Sequence, residues 1–179
     1  MDAAHFVHGA FLGMIWCFVK LFVKSPSGRQ RFNVLGALNA VTHQLITITN
    51  ETYINSTSVC ELLEKIVSIE LKHTKPITLI LDNAKYQKCK LVQERALELG
   101  IELLFLPSYS PNLNLIERLW KFVKSECLNC RYYESFSEFR GSISSFLDNL
   151  DNQKTKLDSL LTFNFQSFSN TLISQLGLV

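Results

Sequence analysis

Apolar positions in this chain fall into blocks with two different periods. Ile77 to Leu81 and Ile101 to Leu106 are short apolar runs, one stopped by Asp82-Asn83 and the other by Pro107. Such runs between turn-forming residues predict buried strands. Between them Leu91, Val92, Ala96 and Leu99 recur at helical spacing, and Gly100 suits the position just past a helix end. Ile116, Leu119, Trp120 and Val123 give a second helix its apolar stripe. The segment from Ile77 to Glu126 therefore predicts strand, helix, strand, proline-braced loop and helix.

The same reading extends outward. Met1 to Val23 is apolar and aromatic and predicts a strand followed by a buried loop. Ser25-Pro26-Ser27-Gly28 reads as a turn. Arg29 to Ala40 reads as a buried strand, and Leu45 to Thr49, β-branched and alternating, as its hairpin partner. Ser58 with Glu61 has the form of a capping box opening a helix whose apolar face is Val59, Leu62, Leu63, Ile66 and Ile69. Ser135 with Glu138 repeats that form ahead of Phe136, Phe139, Ile143, Phe146, Leu147 and Leu150. After a polar break at Asp151 to Lys154, Leu157 to Phe168 predicts a terminal helix and tail packed back on the body. This order of elements fits an α/β sheet with helices on its faces.

The chain has 179 residues, enough for one domain with a real core. Thirteen Phe and a hydrophobic fraction of 47% exclude a disordered chain. The net charge of +2 permits nucleic-acid binding without arguing for it. The apolar run Ala10 to Val19 is too short to span a bilayer and lacks the flanks of a signal peptide, so the expectation is a cytoplasmic protein without a membrane partner. Five cysteines suit free thiols. Cys127-Leu128-Asn129-Cys130 lacks the further ligands that zinc requires, and reads as two ordinary thiols after a helix end.

Candidate chemistry comes from three carboxylates. Asp82 ends a predicted strand, Glu117 lies on the first turn of a predicted helix, and Asp2 opens the chain. Hard divalent cations take oxygen ligands. Two of them, about 4 Å apart on shared carboxylates, stabilise both the attacking and the leaving oxygen of a phosphodiester. Each residue also has a structural reading. Asp82-Asn83 has the composition of an Asx turn. Asn114 with Glu117 has the form of a capping box, and Glu117 with Lys121 that of an i,i+4 ion pair. Asp2 reads equally as part of a frayed, solvated terminus.

The strings Asp82-Asn83-Ala84 and Ser110-Pro111-Asn112-Leu113-Asn114-Leu115-Ile116-Glu117-Arg118-Leu119-Trp120 resemble the DDE transposases of the mariner superfamily, in its bacterial insertion-sequence branch. Thirty-four residues separate Asp82 from Glu117, the spacing of that superfamily, and Asp2 to Phe6 is similar to the segment around its first catalytic Asp. The resemblance implies a ribonuclease-H-like fold with a mixed sheet flanked by helices and the first Asp on the central strand. Only Met1 precedes Asp2, so that strand is expected to be cut short. It implies that Asp2, Asp82 and Glu117 are catalytic and hold Mg²⁺ or Mn²⁺, two ions in all, for DNA cleavage and strand transfer.

Arg118, Lys121 and Tyr109 are the expected DNA contacts, with element ends and target DNA as partners. A homodimer, or pairing with full-length transposase, is the expected assembly. No helix-turn-helix region is seen before Asp2, so residues 1–179 are read as the catalytic domain alone. The alternative is a truncated, inactive remnant that binds DNA or pairs without cutting. His5 reads as a phosphate contact or as a structural His. Gln87 stands where many relatives carry His, which counts against proton transfer at that position.

Overall fold

The computed structural model describes residues 1–9, 16–20, 22, 29–70, 76–107 and 113–164. Its order is β1 (Asp2–Val7), β2 (Arg31–Leu38), β3 (Leu45–Asn50), α1 (Ser56–Glu70), β4 (Ile77–Leu81), α2 (Lys90–Glu98), β5 (Ile101–Phe105), α3 (Leu115–Leu128), α4 (Phe136–Asp148) and α5 (Lys154–Leu160). A short 3-10 turn, Leu150–Gln153, occupies the polar break before α5.

β1, β2 and β3 form an antiparallel sheet with β2 in the middle. β4 and β5 pair in parallel. The two sheets meet where the Met1 ammonium donates to the Ile80 carbonyl at 2.6 Å. Met1 is itself buried, so the frayed-terminus reading of this end is set aside. Side-chain alternation then sorts the core onto two faces. Ala4, Phe6, Phe32 and Val34 pack with α3, α4 and α5 on one face. Met1, Leu35, Ala37, Leu79 and Leu81 pack with α1 and α2 on the other. Asp2 pairs with Gly36, and by the same alternation both lie on the α3 face.

Local chemistry explains most boundaries. Asn55, rather than Ser58, caps α1: its Oδ1 accepts from the Ser58 backbone N–H at 3.0 Å. Ser58 is three residues inside the helix and buried, so the capping box expected there does not form. Ser135 does cap α4, accepting from Glu138 N–H. Gly100 ends α2 with φ +68°, a left-handed conformation that costs a glycine little.

One expectation fails outright. Trp16, Phe18, Val19 and Phe22 are exposed instead of forming a buried loop. They belong to the long connection between β1 and β2, and no helix among the described residues covers them. The turn expected at Ser25 to Gly28, and Phe165 and Phe168, lie outside the described residues. Phe163, expected in the packed tail, is exposed.

Gly36 is the tightest contact in the sheet. A Cβ there would meet the Trp120 ring at 2.8 Å and Ile116 at 3.3 Å. The absence of a side chain lets α3 settle onto the strand that pairs with Asp2. Gly36→Ala is therefore expected to destabilise the fold by about 1–3 kcal/mol through overpacking. Comparing chemical denaturation midpoints at constant slope checks this, and Gly141→Ala, with open space around it, is the control.

Candidate metal centre

Three elements converge at one end of the β1–β4 seam. Asp2 is the first residue of β1, Asp82 follows the last residue of β4, and Glu117 lies in the first turn of α3. One carboxylate oxygen from each lies within 4.8 Å of the others, and all three side chains are half-buried. Among the described residues this is the one cluster of three or more acidic, His or Cys side chains with metal-ligand spacing. Cys127 is buried and Cys130 exposed, and neither belongs to such a cluster.

The local alternatives for these residues do not materialise. Asn83 reaches across to donate to the Leu106 carbonyl, locking the end of β4 to the end of β5 instead of closing an Asx turn. Asn114 stands at the N-cap of α3, but its side chain caps nothing; its backbone carbonyl accepts from Glu117 N–H at 3.1 Å. The Asn114 side chain donates to Asp82 Oδ1 at 3.1 Å and to the Met1 carbonyl at 3.5 Å. No ion pair joins Glu117 to Lys121 among the described residues. Glu117 is thus left to the cluster, and the positive end of α3 favours its negative charge.

The electrostatics fit a cation-binding set. Asp2 is pushed up from 3.8 to about 6, chiefly by burial and further by the negative charges of Asp82 and Glu117. Burial likewise pushes the Met1 ammonium down from 8.0 to about 6, with Asp2 and Asp82 partly opposing the change. The Tyr86 hydroxyl is pushed up, chiefly by burial and further by the charges of Asp2 and Asp82. Three oxygen donors carrying excess negative charge suit Mg²⁺ or Mn²⁺ far better than a soft metal.

The remaining candidates divide. Lys121 is exposed on α3. Arg118 is not turned outward to meet DNA, as the sequence suggested. Its guanidinium donates to the carbonyls of Leu160, Thr162 and Asn164, tying the segment after α5 to the first turn of α3. Tyr109 lies outside the described residues. His5 Nδ1–H donates to Asn33 Oδ1 at 2.7 Å, and the Asn33 amide nitrogen donates in turn to Asn50 Oδ1 and the Thr52 carbonyl. Its place three residues along β1 from Asp2, with the opposite side-chain direction, supports the structural reading. Gln87 is fully buried, with neither amide atom in hydrogen-bond geometry. Lys88 and Lys124 lie over the rings of Phe105 and Phe6, and Lys90 pairs with Glu94.

Residues 20–140 match the family model described as DDE superfamily endonuclease. The chain belongs to this family. The matched stretch contains Asp82 and Glu117 and begins after Asp2. The family uses divalent metal ions, in keeping with the carboxylate cluster. Among solved structures, this DDE superfamily member is similar to the Mos1 transposase paired-end complex with left transposon end, at 12% identity and TM-score 0.58, over 92% of this chain and 55% of that one. It is also similar to the Mos1 mariner paired end complex with Mn and to a pre-cleavage Mos1 transpososome, each at 10% identity and TM-score 0.55, over 93% of this chain and 56% of that one. At these identities the likeness is one of fold, and the fold is the ribonuclease-H-like α/β arrangement of transposase catalytic domains. The chain spans little more than half the length of those transposase chains. No curated protein sequence matches it.

The raised pKa of Asp2 gives a signed prediction. Folding favours its protonated form, so its contribution to the stability of the metal-free chain falls as pH rises from 3.8 to about 6 and is level above that. The Met1 amine acts in a separate window, with stability rising from about 6 to 8.0. Melting curves of the wild type and Asp2→Asn across pH 4 to 8 check this. The fall in stability as pH rises from 4 to 6 is expected to flatten in Asp2→Asn.

Proposed function

We propose that this chain is the catalytic domain of a transposase, a single domain over residues 1–179, which cuts and joins DNA strands by divalent-metal-dependent phosphoryl transfer. The observation that carries this reading is the convergence of Asp2, Asp82 and Glu117 within 4.8 Å from three elements remote in sequence. Like charges do not gather at half-buried positions without a compensating partner. The same observation weighs against the inactive-remnant reading, in which nothing requires the three to stay together.

In this reading the three carboxylates would hold two Mg²⁺ or Mn²⁺ ions. When bound, such ions supply charge stabilisation to the attacking and leaving oxygens of a phosphodiester. The protein's own work is positional. β4 and α3 are packed elements that fix Asp82 and Glu117, while β1 delivers Asp2 between them. Lys121 and Tyr109 contact the DNA backbone. Arg118 is reassigned from DNA contact to support of the α3 turn that bears Glu117.

The string from Ser110 to Trp120 supports placement in the bacterial insertion-sequence branch. Substrates are then the element ends and target DNA, in the cytoplasm. Pairing of two ends calls for a second catalytic chain, either another copy or a full-length transposase.

Two measurements test the proposal. Mn²⁺ at a hundredfold excess over Kd is expected to stabilise the chain by about 2.7 kcal/mol, and this gain is expected to vanish in Asp82→Asn and Glu117→Gln. Strand cleavage of DNA with Mg²⁺ or Mn²⁺ is expected to fall by about two to three orders of magnitude in the same variants, as on removal of a principal transition-state stabiliser. Full cleavage activity in Asp82→Asn would overturn the assignment.

A further inference from the structure

We infer that Asn114 is a positioning residue of the metal centre, holding the Asp82 carboxylate in the orientation in which it would bind a cation. The inference rests on the metal-centre reading above and adds to it a residue that is not itself a ligand.

The side chain of Asn114 is in an unusual situation for its place in the chain. A residue at a helix N-cap ordinarily turns its side-chain oxygen back to the N–H groups of the first turn. Asn114 does not, and its side chain makes no cap hydrogen bond. It is 4% exposed, so its amide must find partners inside the protein. Both partners of its nitrogen, Asp82 Oδ1 and the Met1 carbonyl, are acceptors without a proton to give. They settle which end of the amide faces them, since only the NH₂ can donate twice.

The geometry touches every ligand element. One N–H holds an oxygen of Asp82 at the end of β4. The other reaches the carbonyl joined by the peptide bond to Asp2. The backbone of Asn114 in turn receives Glu117 N–H, at the start of the helix that carries the third ligand. A single residue, through its side chain to two of them and its backbone to the third, thus spans the three elements that place the carboxylates.

The residue type matters chemically. A carboxylate holding one donor bond has one oxygen committed and its plane set, which leaves the second oxygen directed. Lysine or arginine here would donate as well, but would bring the positive charge that the cation is meant to supply. Aspartate would offer no donor and add a fourth negative charge. The neutral amide orients Asp82 and leaves the charge of the cluster unchanged.

The test uses the full chain with Mn²⁺ as the added probe, free ion being counted by its electron paramagnetic resonance signal. Asn114→Leu keeps the side-chain volume and removes the donor; Asn114→Ala removes both. Each is expected to raise the Kd for Mn²⁺ by about 10- to 100-fold, the usual consequence of losing an outer partner of a ligand, while the metal-free chain still melts cooperatively. Binding within twofold of wild type in either folded variant would overturn the inference and leave the metal centre standing. No Mn²⁺ binding by the wild type would overturn both.

Should both variants fail to fold, the side-chain amide resonances of Asn114 in the wild type decide. They are expected to be protected from solvent exchange and to shift in Asp82→Ala and on Mg²⁺ addition. Resonances that ignore both changes would overturn the inference.

Discussion

Mutual repulsion among three carboxylates is the constraint that the rest of the molecule must meet. Held within 4.8 Å of one another and partly shielded from water, they resist assembly, as the upward push on Asp2 registers. The opposing force is apolar burial on both sides of the sheet. α3 is pinned by Ile116, Leu119, Trp120 and Val123 against β1 and β2. β4 is pinned by Leu79 and Leu81 against α1 and α2. The cluster therefore draws on two cores, and neither alone places all three carboxylates.

Polar locks supply the precision that apolar packing lacks. Asn83 clamps β4 to β5, Asn114 spans the seam, and Arg118 gathers one carbonyl at the end of α5 and two beyond it. Each is a neutral or singly charged side chain bonding backbone or carboxylate, and each lies inside the string Asp82 to Ala84 or the string Ser110 to Trp120. The resemblance in those strings thus covers scaffolding as much as chemistry. This is a physical reason for Asn and Arg to sit among the acidic residues.

Much of this was legible from residues alone. Asp82 and Glu117 lie in short local motifs that keep their form in one dimension, and the apolar periods located the strands and helices around them. Side-chain direction was not legible. A Ser or Asn followed three residues later by Glu reads as a capping box at Ser58, at Asn114 and at Ser135, yet only Ser135 caps, because the other two are drawn into buried surroundings. Nor was the exposure of Trp16, Phe18 and Phe22. Hydrophobicity says that a residue gains from burial, but not whether a surface is available to bury it. Arg118 looked like a surface cation for want of any local sign that carbonyls from Leu160 to Asn164 would come to it.

The three carboxylates are spread from residue 2 to residue 117, and α3 seats against β1 and β2 on one side and α4 and α5 on the other. During synthesis from the N-terminus, Asp2 and Asp82 emerge well before Glu117, and the helix that carries Glu117 is steadied in turn by carbonyls as far on as Asn164. A chain made only as far as α2 therefore lacks the third carboxylate. The order in which the ribosome delivers these segments keeps the three carboxylates apart until Glu117 and the elements that seat α3 have emerged.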